Sequence, residues 1–158
     1  MIQIEENNKK LLHLIDLWAP RLLDLKPSTI SEFRNSQQRN IRQILGHMVD
    51  SASNNMHRTV HLQYQECPLE FPNYGTHGNN DRWISIQNYE AENWENLVKL
   101  WKYANLHFVH VVRNINHSKF QNTWNSGDGK LISLEKMVVD FLPHFELHIG
   151  EIEELINR

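Results

Sequence analysis

The stretch 39–58, RNIRQILGHMVDSASNNMHR, decides the fold, because its apolar residues recur at helical spacing and a polar track runs beside them. Ile41, Ile44, Leu45, Met48, Ala52, Met56 and Thr59 fall on one packing face of a helix running from about Ile41 to Leu62. Asn40 stands where a side chain accepts the first free backbone N–H groups of that helix. His47 lies off the centre of the apolar stripe, in line with Ser51, Asn54 and Arg58. A polar track of this kind forms either the wall of a ligand pocket or an ordinary solvated face.

The same spacing recurs in three other segments, so the chain reads as an all-α four-helix bundle in one domain over residues 1–158. Upstream, NNKKLLHLIDLWA gives a helix over residues 5–19, ended or kinked by Pro20. Downstream, a third helix is predicted to begin between Ile84 and Tyr89 and to reach about Asn114, packing through Trp94, Leu97, Val98, Trp101, Ala104, Phe108, Val112 and Ile115. The last helix is predicted from Ser133, its cap, towards Leu155, bent at Pro143. The proline- and glycine-containing connection 67–83 carries Phe71, Tyr74 and Trp83, which predicts that it packs across the bundle.

Composition narrows the partners. A formal net charge of -3 gives no basic footprint for nucleic acid or an anionic membrane. The polar N-terminus lacks a signal-peptide core and no apolar run is long enough to span a membrane. The single cysteine, Cys67, precludes an internal disulfide and suits a reducing compartment, so a cytoplasmic protein is expected.

Ten histidines are present, and most sit on helix flanks or in loops where a surface role suffices. His144 and His148 differ. Four residues apart on one helix, they form either a chelating pair or two imidazoles hydrogen-bonded to neighbours. Arg58 is fit to hold a substrate carboxylate through two N–H bonds, or to pair with a surface glutamate. Asp140, one turn before His144, either backs a ligand imidazole or is an ordinary surface carboxylate.

Together, RNIRQILGHMVDSASNNMHR, NDRWISIQNYEAENWENLVKLWKYANLHFVHVVRNI and LISLEKMVVDFLPHFELHIGEIEEL resemble the DinB-like family of metal-binding four-helix proteins, which includes the bacillithiol transferases. The resemblance runs from about residue 38 to the end. It implies an up-down-down-up bundle, a homodimer, and one divalent transition metal, nickel or zinc, held by His47, His144 and His148. It also implies a transferase that joins a low-molecular-weight thiol, as co-substrate, to a small electrophile. A metal-dependent hydrolase and a non-enzymatic metal- or protein-binding bundle are the alternatives. The sequence departs from the family pattern in two places: Arg39 and Asn40 stand for a tryptophan followed by serine or threonine, and Pro143 immediately precedes a ligand position.

Overall fold

A computed structural model describes residues 2–127 and 129–158. Its helices are α1 (Ile2–Leu23), α2 (Pro27–Ser31), α3 (Ile41–His61), α4 (Asn79–Gln87), α5 (Trp94–Arg113) and α6 (Leu134–Ile156). Three short strands, β1 (Leu69–Glu70), β2 (Thr123–Asn125) and β3 (Leu131–Ser133), form a small sheet beside them.

The four long helices are α1, α3, α5 and α6, and their caps follow from the sequence. Asn40, Asn93 and Ser133 each accept a backbone N–H in the first turn of α3, α5 and α6. At Asn40 the Gln43 side chain reciprocates, completing a capping box. Each helix buries one stripe, such as Leu11, Ile15, Trp18 and Leu22 on α1. Trp101, Phe108, Phe141 and Phe145 occupy the centre of the core, with the Trp101 and Phe145 rings stacked at 5.7 Å.

Side-chain contacts fix the helix directions. Lys10 pairs with Glu146 and Arg21 with Glu153, so α1 and α6 run parallel. Arg113 meets Glu5 and Trp94 Nε1 donates to the Leu22 carbonyl, so α5 runs against α1. Asn122 and Arg158, just outside the two ends of α6, bond the Leu62 and Arg34 carbonyls at the opposite ends of α3, so α3 runs against α6. The result is the expected up-down-down-up bundle, in which α1 and α3 each lie between α5 and α6.

Both internal prolines are accommodated without ending a helix. α1 continues through Pro20 to Leu23, further than the sequence spacing indicated. In α6, Pro143 cannot donate to the Val139 carbonyl, and Asn7 Nδ2 from α1 donates to that carbonyl instead at 3.2 Å.

The connections are more ordered than their turn-rich sequences indicated. The predicted start of the third helix divides into α4, a 3-10 turn at Tyr89–Ala91, and α5 beginning at Trp94; Asn88, at φ 50°, breaks the run. β1 lies parallel to β2, which pairs antiparallel with β3, so the two long connections are stitched together. Phe71 packs against the core and Tyr74 is buried, as the loop aromatics led us to expect, whereas Trp83 remains 41% exposed. Among the described residues no helix is long and apolar enough to cross a membrane.

Candidate metal centre

α3 and α6 bring His47, His144 and His148 together midway along their shared face. Nε2 of His148 lies 3.0 Å from Nε2 of His47 and 3.1 Å from Nε2 of His144. His47 and His148 are buried and His144 is partly open. One nitrogen from each ring falls within a 4.8 Å cluster.

The outer nitrogens dictate what the inner ones present. Glu151, one turn beyond His148, accepts from its Nδ1–H at 2.7 Å, which leaves Nε2 as a lone pair. His47 Nδ1 is 2.7 Å from the Tyr74 hydroxyl, and that hydroxyl donates to Asp50 at 3.3 Å. Burial and the adjacent Asp50 carboxylate hold the Tyr74 phenol in its protonated form. With the hydroxyl proton directed to Asp50, its oxygen accepts the His47 Nδ1 proton, and His47 Nε2 is also a lone pair. Two buried lone pairs facing each other at 3.0 Å cannot satisfy one another. A cation between them can, and metal–nitrogen bonds of about 2.0–2.1 Å reach both nitrogens from one point. The residues thus fit one divalent ion, and a three-histidine site capable of holding it is present.

Electrostatics favour neutral ligands. Desolvation, with Arg39 and the other two imidazoles nearby, lowers the His47 pKa to about 2. Desolvation lowers His144 to about 4. His148 is also lowered by burial, against the opposing pull of Glu151. All three imidazoles are ready to bind metal at neutral pH without first losing a proton.

Asp50 anchors the support. It accepts from Tyr89 at 2.6 Å and Gln87 at 2.7 Å as well as from Tyr74, and burial raises its pKa despite these bonds. The Tyr89 ring lies directly against Gly46, where an added Cβ would overlap it. The glycine preceding His47 therefore makes room for the ring that braces Asp50. Arg39, at the position where the family pattern has an aromatic residue, is buried and ion-pairs with Asp81 at 2.6 Å. It ties α4 to the start of α3.

His47 and His144 open onto a cleft of about 300 Å³. Ser51 and Arg58 line it. Asn54 does not: it faces a separate depression with Ser53, His57 and Trp83, and Asn55 takes the place in the cleft wall. Asp140 lies on the cleft wall in an ion pair with Lys136, and none of the hydrogen bonds among the described residues joins it to an imidazole. Glu151 and the Tyr74–Asp50 pair support the ligands instead. Glu151 was not singled out from the sequence, although its i+3 spacing from His148 is the signal that points to it. Tyr74 and Trp124 come from connections where periodicity carries no information.

Compared by sequence, the chain matches no family model and no curated protein. Compared by structure, it superposes on YfiT from Bacillus subtilis with a TM-score of 0.83 at 17% identity, covering 98% of this chain and 86% of that one. That protein is described as "a probable metal-dependent hydrolase with an unusual four-helix bundle topology". The likeness establishes the fold, a DinB-like four-helix bundle, here carrying a three-histidine cluster. It also corrects the transferase expectation, since YfiT, which has this fold, is described as a probable hydrolase. The physical reason for the miss is that the same three imidazoles serve either chemistry, so ligand positions in a sequence do not separate them.

Proposed function

We propose that the protein is a metal-dependent hydrolase of a small-molecule substrate, with His47, His144 and His148 holding one nickel or zinc ion. The observation that carries this reading is the convergence of three Nε2 atoms, those of His47 and His144 lying 3.0 and 3.1 Å from that of His148, beside an open cleft. Structural zinc sites take four protein ligands, whereas three leave a position for water or substrate. The description of YfiT as a probable hydrolase supports the same choice. When bound, such an ion lowers the pKa of water and polarises a carbonyl oxygen.

The chain's own residues supply orientation and proton handling. Glu151 and Tyr74 fix the His148 and His47 rings, and Asp50 fixes Tyr74. Asp140, 2.7 Å from Lys136, is the carboxylate on the cleft wall and is suited to accept a proton from attacking water. Ser51 and Asn55 offer hydrogen-bonding groups to the substrate. We also propose a homodimer, supported by Leu100, Tyr103 and Leu147, which stay exposed on the outer helix faces.

An ester and amide panel on metal-loaded, chelator-stripped and His148→Ala protein tests the reading. Turnover above the spontaneous rate in the loaded wild type alone supports it. Equal rates in all three samples exclude hydrolysis and leave a metal-binding role. Sedimentation of a single protomer at micromolar concentration excludes the dimer.

A further inference from the structure

Arg58 is 7% exposed, yet none of the ion pairs among the described residues includes it. Arg39 is buried to the same degree and has Asp81 at 2.6 Å. Arg58 has only a long hydrogen bond to Asn55 Oδ1, at 3.3 Å, and its Nε is buried without a partner. Its guanidinium carbon lies 4.0 Å from the centre of the Trp124 ring, a contact that holds the group by its face and leaves its edge for hydrogen bonding. Burial lowers its pKa to about 10, so it remains cationic at neutral pH. A buried guanidinium without an anion is costly, and this one lines the same cleft as His47 and His144.

We infer that Arg58 is the carboxylate-binding end of that cleft, selecting a monoanionic substrate whose reacting carbonyl lies at the histidine cluster. Arg58 follows His47 by three helical turns on the same face, about 16 Å between Cα atoms, and its side chain, bonded back one turn to Asn55, shortens the span from guanidinium to cluster to on the order of 10 Å. That span suits substrates whose carboxylate is remote from the scissile bond. It fits an apolar or aryl spacer of about 6–8 Å between carbonyl and carboxylate, given that Trp124, Ile132, Met137 and Phe141 line the cleft. Asp140, on the same cleft wall as His144, is engaged by Lys136. A single guanidinium stacked on an indole matches the charge and planar fork of one carboxylate; a phosphate dianion calls for further cations.

The inference rests on the hydrolase reading only for the chemistry at the far end of the ligand, so its test is binding to metal-free protein. The probe is 4-acetylbenzoate, whose ketone has no leaving group, compared by calorimetry with neutral 4-acetylbenzamide. Wild type is expected to bind the carboxylate at least tenfold more tightly, and Arg58→Gln to erase the preference. A wild-type ratio near one overturns the inference whether or not the variant folds, as does a preference that survives in folded Arg58→Gln. An Arg58-dependent preference in a protein that hydrolyses no ester or amide leaves the carboxylate site standing and removes the hydrolase reading. Ester hydrolysis by the loaded enzyme with no carboxylate preference has the reverse meaning.

Discussion

Replacing Tyr74 by phenylalanine removes one hydroxyl and leaves the ring, which stacks on His47 with centroids 5.5 Å apart. The packing contribution therefore stays and the hydrogen-bond contribution goes. Asp50 retains Tyr89 and Gln87 as donors, so the loss falls on the His47 Nδ1–H, which is left buried without an acceptor. An unsatisfied buried donor costs about 1–3 kcal/mol. The imidazole escapes that cost by moving its proton to Nε2 or by rotating, and either change withdraws the lone pair offered to the ion. Loss of a ligand's supporting hydrogen bond lowers metal affinity by about 10- to 100-fold, which is about 1.4–2.7 kcal/mol and agrees with the cost of the orphaned donor. Competition against a metallochromic chelator reads this directly, with thermal unfolding of the metal-free variant as a control for the fold. Affinity within twofold of wild type in a folded Tyr74→Phe protein would refute the argument that Tyr74 sets the His47 tautomer.

Gly46→Ala drives a methyl group into the Tyr89 ring, whose hydroxyl is tied to Asp50; a loss of about 1–3 kcal/mol is expected in urea unfolding, and an unchanged midpoint refutes the close approach. Asn7→Ala leaves the Val139 carbonyl without the donor that replaces the missing N–H of Pro143, so a loss of about 1 kcal/mol is expected in the same assay, and none if water serves equally well. For the metal-free protein, His144 has its pKa lowered from 6.5 to about 4 by burial, and a base depressed by folding contributes stability that is fully present above 6.5 and is lost as pH falls towards 4. His47 and His148 act in the same sense, while Asp50, raised by burial, acts oppositely nearer pH 4. The urea midpoint should therefore fall between pH 6.5 and 5, and a flat profile there contradicts buried neutral histidines.

What the sequence made legible was whatever depends on periodicity. The stripes of α3, α5 and α6 and the caps Asn40 and Ser133 come from local rules, and the i,i+4 spacing of His144 and His148 places two candidate ligands on one side of a helix. The early start assigned to the third helix failed because Tyr89 leaves the helical path to lie against Gly46, a tertiary demand that local spacing does not record. β1 and β2 each have only two or three residues and pair across more than fifty positions, so neither is visible as a strand by itself. Spacing from His47 pointed to Asn54 as a wall residue, yet Asn55 holds that place, although both amides bond back one turn, to the Asp50 and Ser51 carbonyls. Chemistry was less legible than ligation. The three histidines lie on faces of two helices, whereas Tyr74 and Trp124 reach the site from separate connections joined by the small sheet.

The central claim, that His47, His144 and His148 together hold one divalent ion, is tested most directly by equilibrium dialysis of metal-stripped protein against zinc or nickel, in wild type and in the three single histidine-to-alanine variants. One ion per chain in the wild type, with affinity falling sharply in each folded variant, is the expected result. Binding at wild-type affinity in folded His47→Ala would contradict it, because that imidazole alone brings α3 to the site.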